Sequence, residues 1–184
     1  PGRDLAKLAV MERHHGTGAV GLGFVQGLGL RRGAVAGTVA HDSHNLIVAG
    51  TDDADMALAA HALAEAGGGF AVACEGSVSA LLPLPIAGLM SDQSAEDVVA
   101  ALDALNAAAR GILAPEAADK SIFKIAPLVV LTSTFLLVVV VPFGPVSAAE
   151  VALPGQYDVS LGRPYRSSSP SWAPLMGIAK RAGW

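Results

Sequence analysis

Ala34-Val35-Ala36-Gly37-Thr38-Val39-Ala40 runs straight into His41-Asp42-Ser43-His44-Asn45, and Leu46-Ile47-Val48-Ala49 follows at once. Two short apolar runs with β-branched content, joined by a polar knot, read as strands. The knot sets two histidines, a carboxylate, a hydroxyl and an amide side by side. Burying such groups costs free energy unless each finds a partner. Thr51-Asp52-Asp53-Ala54 then opens a helix, with acids in the first turn where the dipole favours them. Met56, Ala59, Ala60, Leu63 and Ala64 recur at helical spacing, and Gly67-Gly68-Gly69 ends the element.

Working outward, Leu5 to Met11 is a strand, and Ala19 to Leu30 alternates, with Val20, Leu22 and Phe24 separated by Gly21 and Gly23. That period of two predicts a strand with glycine on one face, where another backbone approaches closely. Arg31-Arg32-Gly33 makes a turn, and Ala34 to Ala40 is a third strand. Phe70–Cys74 and Ser77–Leu82 flank Glu75-Gly76, the pattern of a β-hairpin. Ser94 caps a second helix running to about Ala109, with Asp97 three residues on and Val98, Val99, Leu102 and Leu105 as its apolar stripe. Strands interrupted by two helices predict an α+β fold, a mostly antiparallel sheet with two helices on one face. An apolar membrane- or signal-like segment and an irregular tail follow.

Charge marks that division. Residues 1–119 carry 14 acids and 6 bases, and residues 120–184 carry 2 acids and 6 bases, so the net sign changes near residue 120. The acidic first part argues against nucleic acid as a partner, which needs clustered Lys and Arg to displace counterions. The organisation read from this is a domain over 1–119, an apolar segment over 120–149 and a Pro/Ser-rich tail over 150–184. Ile125 to Ala149 holds 25 residues without a charge, preceded by Lys120 and Lys124 and closed by Val146-Ser147-Ala148. These are the parts of a secretory signal, although the unbroken apolar core is short for a span of ~20 residues. A buried strand pair is the other reading of the valine run. Cys74 is the single cysteine and reads as a small buried residue, consistent with a reducing cytoplasm for residues 1–119; the compartment of the whole chain stays open because of 120–149. The chain opens on Pro1 with nothing like a leader, and the expectation is that an upstream portion is missing.

Gly16-Thr17-Gly18-Ala19-Val20-Gly21 matches a dinucleotide fingerprint, but that motif must open a helix, and the glycines here disfavour one by ~1 kcal/mol each. Glu12 and Arg13 read as an ordinary ion pair, and Asp92 as the cap of a turn. His41 and His44 invite a metal reading. With five histidines in all and an isolated cysteine, however, no structural-zinc ligand set is complete.

Three motifs, in this order and spacing, carry a resemblance: Glu12-Arg13-His14-His15-Gly16-Thr17-Gly18, Ala40-His41-Asp42-Ser43-His44-Asn45, and Pro83-Leu84-Pro85-Ile86-Ala87-Gly88-Leu89-Met90-Ser91-Asp92. From about Lys7 to Arg110 the chain resembles the C-terminal domain of adenine deaminase, of the amidohydrolase superfamily. The resemblance implies a parent enzyme that hydrolyses adenine to hypoxanthine and ammonia. In it a barrel domain holds a binuclear manganese or iron centre, and a metal-activated water attacks the purine. No His-x-His pair of such a centre occurs in this chain, so the expectation is a C-terminal fragment that binds no metal and is inactive without the barrel. The barrel is then its partner and adenine the parent's substrate. Family domains continue into further apolar strands, so residues 1–119 are expected to be an incomplete domain. His41, Asp42, Ser43, His44 and Asn45 are the candidate active-site-facing residues, with a satisfied hydrogen-bond network at a strand end as the alternative. Two other readings stand beside this one: a membrane-tethered, non-catalytic binding module, and a chimeric frame joining a deaminase end to an exported protein's start. Membrane contact through 125–141 and homo-oligomerisation are left open.

A reporter fused to residues 120–184 should fractionate with membranes; a wholly soluble reporter would select the buried-strand reading of the apolar run.

Overall fold

The computed structural model describes residues 4–40, 43–117, 157–158 and 163–164. The segments read as signal-like, 120–149, and as membrane-contacting, 125–141, lie outside these, as does most of the tail. Within the tail, Tyr157–Asp158 and Arg163–Pro164 pair as two short antiparallel strands. No helix among the described residues is long and apolar enough to cross a membrane.

The main body is one sheet of six strands: β1 (Leu5–Met11), β2 (Val20–Gln26), β3 (Ala34–Gly37), β4 (Leu46–Gly50), β5 (Gly69–Cys74) and β6 (Ser77–Pro83). Helix α1 (Asp53–Ala66) follows β4, and α2 (Ala95–Ile112) follows β6. The strand order is β2-β1-β4-β3-β5-β6. Every pairing is antiparallel, so the α+β class stands. The predicted hairpin forms at Glu75-Gly76, where both residues take positive φ, 55° and 76°. That is the twist a two-residue turn between right-handed strands needs.

The placement of the helices on one face is corrected by the core. Residues directly opposite across antiparallel strands share a face, so the register sorts every side chain. Leu8, Ala49, Val35 and Val72 lie in one row, and their cluster includes Leu105, Ala109 and Ile112 of α2. Ala9, Val48, Ala36 and Ala71 lie in the next row, and their cluster includes Met56, Ala59, Ala60 and Leu63 of α1. The two helices therefore cover opposite faces. Strands β3, β4 and β5 are apolar at both parities because both faces are buried. The α1 face is lined by alanines, which lets that helix sit close, whereas the α2 face carries Leu, Ile, Val and Phe.

Local chemistry fixes the ends. Asp52 caps α1 by accepting from Asp55 N at 2.9 Å, and Gly67 ends the helix at φ 76°. Ser94 caps α2 through Asp97 N. This helix runs past Ala109 to Ile112. Lys7 pairs with Asp53 at 2.7 Å, tying β1 to the start of α1. Asp55, buried, accepts from Glu75 N and Gly76 N at 3.0 and 2.9 Å, which pins the same turn of α1 to the β5–β6 hairpin.

Three smaller expectations change. Strand β3 ends at Gly37, short of Ala40. Among the described residues a Cβ on Gly23 would meet nothing within 4 Å, and one on Gly21 only Val10 O at 3.9 Å, so none of their backbone crowds the glycine face of β2. The turn near Asp92 is closed by Gln93 N donating to Ser91 Oγ.

Val99 lies 57% exposed while Leu105 is fully buried, which corrects the predicted stripe of α2. Leu105→Ala should therefore cost ~2–5 kcal/mol in denaturant unfolding, and Val99→Ala should stay within ~0.5 kcal/mol.

Candidate functional site

Strand directions bring the ends of β1, β3 and β6 and the starts of β2, β4 and β5 to one end of the sheet. All three sequence motifs leave or enter the sheet there. The first begins as β1 exits at Met11. Glu12 turns its carboxylate back over the following loop: Oε1 accepts from His14 N and from His15 N at 2.8 Å, and Oε2 from Thr17 Oγ1 at 2.9 Å and Thr17 N at 3.3 Å. Gly16 and Gly18, at φ 63° and 68°, give the chain the curvature to wrap the carboxylate. Burial raises the Glu12 pKa, but hydrogen bonds from His15, His14 and Thr17 outweigh it and hold the carboxyl down to about 2 from an ordinary 4.5. Glu12 therefore organises its own loop and makes no ion pair with Arg13, contrary to the sequence reading.

Arg13 points across to the other two motifs. Its Nε donates to His44 O at 2.6 Å, and a terminal guanidinium nitrogen donates to Ala87 O. Desolvation lowers its pKa from the ordinary value, but a guanidinium stays charged. His14 adds a second tie, its Nε2 lying 2.9 Å from Ser43 O. A carbonyl only accepts, so this contact needs the ring protonated at Nε2.

The third motif is held from below by Thr38, a buried hydroxyl that the sequence reading passed over. Its Oγ1 donates to Gly88 O at 2.7 Å and accepts from Gly69 N at 2.8 Å. Glycine is required where these layers meet. Gly68, at φ 122°, leaves no room for a Cβ against Gly88 Cα, and a Cβ on Gly88 would lie 2.5 Å from the Arg13 guanidinium. Two non-glycine residues here take the left-handed conformation, His44 at φ 47° and Ala87 at φ 57°. Each costs roughly 1–2 kcal/mol, and such strain persists only where neighbours over-determine it.

Of the five candidate residues, His41 and Asp42 lie outside the described residues. Ser43, His44 and Asn45 are half-buried on the approach to β4. His44 N donates to Ala40 O at 2.7 Å, which closes the turn. Its Nδ1 is buried and finds no hydrogen-bond partner among the described residues, an unusual state for a buried polar atom. Among the described residues no group of three His, Cys, Asp or Glu side chains could hold a metal ion.

The model of the adenine deaminase C-terminal domain family matches residues 1–140, running past Arg110 into the apolar segment. An adenine deaminase of Oleidesulfovibrio alaskensis is 69% identical over 108 residues, 59% of this chain and 19% of that protein. One from Moorella thermoacetica is 62% identical over 105 residues, 57% of this chain and 18% of its own length. One from Cereibacter sphaeroides is 59% identical over 112 residues, 61% and 20% respectively. The chain thus spans about a fifth of the length of the curated relatives it matches.

Because the fold lowers the Glu12 pKa, the ionised carboxylate is the form it holds. Its contribution is present above about pH 4.5 and is lost as the pH falls through about 2. Amide resonances of His14, His15 and Thr17 should move together across that window, and Glu12→Ala should leave them in the low-pH state at neutral pH.

Proposed function

The chain belongs to the adenine deaminase C-terminal domain family, and from that premise we propose that it supplies one wall of the active site of an adenine deaminase, docked against a metal-bearing amidohydrolase barrel. The reaction is the hydrolysis of adenine to hypoxanthine and ammonia. The observation that carries this reading is the union of the three motifs at one end of the sheet. Arg13 and His14 tie Ser43, His44 and Ala87 together there, and the His44 Nδ1, buried and with no hydrogen-bond partner among the described residues, lies at the junction.

The chemistry assigned to this chain is positional. The catalytic metal is supplied by the barrel. The side chains at the knot, with His44 foremost and His41, Asp42, Ser43 and Asn45 beside it, offer donors and acceptors to the barrel's mouth and to the purine. Strained turns held by Arg13 and His14 suit that task, because a wall that must keep polar groups aimed is poorly served by loose loops.

The full chain alone should release no ammonia from adenine with added manganese or iron. Fused behind the barrel domain of a curated relative, it should support turnover, and His44→Ala should lower kcat/KM while moving thermal stability by less than ~1 kcal/mol. Turnover by the chain alone, or an unaltered kcat/KM in the His44→Ala fusion, would overturn the reading.

A further inference from the structure

We infer that Arg13 couples the turn at His44 to the turn at Ala87, so that the two are set as one unit. If the proposed function holds, Arg13 is then a positioning residue for that site. Three non-glycine residues among those described take positive φ: His44, Glu75 and Ala87. Glu75 owes its conformation to the hairpin turn it occupies. The other two, 43 positions apart in sequence, share a single feature: the carbonyl of each is taken by Arg13.

The geometry makes this a coupling rather than two separate bonds. Guanidinium donors lie in one rigid plane, so carbonyls bound to Nε and to a terminal nitrogen must keep a fixed relation to each other. The loop at Ala87 is also held from its other side, since Thr38 Oγ1 donates to Gly88 O. Consecutive carbonyls, Ala87 O and Gly88 O, are therefore anchored to different strands' ends. Gly88 lies directly beneath the guanidinium, where a Cβ would come within 2.8 Å of three of its atoms. A shift of either turn thus moves Arg13, and a shift of Arg13 moves the other turn. Lysine cannot replace it, because a single ammonium lacks the planar fork.

The test uses the full 184-residue chain and amide hydrogen exchange, with the His44 ring resonances as a second readout. In Arg13→Lys, residues 43–46 and 85–90 should both exchange faster, by roughly tenfold, while β5 keeps its protection. Adding Ala87→Gly relieves the strain at one turn only, so it should restore 85–90 and leave 43–46 fast. Gly88→Ala retains Arg13 but displaces its guanidinium; it should speed exchange at 43–46 and shift the His44 ring, a segment that Gly88 reaches through Arg13. Should Arg13→Lys fail to fold, Gly88→Ala decides. Response of one turn alone, no change at 43–46 in Gly88→Ala, or equal acceleration throughout the sheet would overturn the coupling. These readouts need no barrel and no adenine, so their outcome is separate from that of the fusion assay.

Discussion

A single antiparallel sheet buried on both faces is the constraint from which the rest of this molecule follows. Each central strand must be apolar at every position, so it has no polar side chain of its own to spend on recognition. The two helices then divide the labour by residue size. Alanines admit α1 closely on one face, while Leu, Ile, Val and Phe fill the wider space under α2. Polar chemistry is displaced to the strand ends, and the antiparallel order gathers six of those ends, one from each strand, in one place.

At that end the problem changes from packing to satisfying backbone groups. Carbonyls and N–H groups that leave the ladder must be met by something. Here they are met largely by side chains: Glu12 takes three backbone donors, Arg13 two carbonyls, and Thr38 one of each. Such a junction has few alternative arrangements, which is why it tolerates left-handed His44 and Ala87. The same crowding explains the glycines at 68 and 88: side chains there would occupy space already used by the Gly88 backbone and Thr38 in the one case and by Arg13 in the other.

Much of this was legible in the residues. Turn chemistry at Gly33, Glu75-Gly76 and Gly67 placed the breaks, and Asp52 and Ser94 announced both helices. The faces of the helices were not legible, because strands apolar at both parities give no alternation to assign a side. Val99 looked like stripe on periodicity alone, yet among the described residues nothing packs over that part of α2 deeply enough to bury it. The site divided in the same way. Its three motifs stood out as polar clusters, but the roles of Arg13 and Thr38 depend on backbone partners up to 74 and 50 positions away, and no spacing rule reports those. Glu12 was nearer to reach, since the His14, His15 and Thr17 donors it engages lie within five residues of it.

That folded-back carboxylate has a further consequence for the glycine-rich stretch after it. Gly16-Thr17-Gly18-Ala19-Val20-Gly21 has the spelling of a phosphate cradle, and its loop does present N–H groups to an anion. The anion is Glu12 itself, tethered two to five residues from the donors it engages. A ligand attached by so short a leash acts at an effective concentration of about millimolar or more. Free phosphate or nucleotide would have to outcompete it, and the helix that would add its dipole to the contest is a strand instead. The loop carries its own occupant, and acidification, by discharging that occupant, loosens the hold of the loop on it.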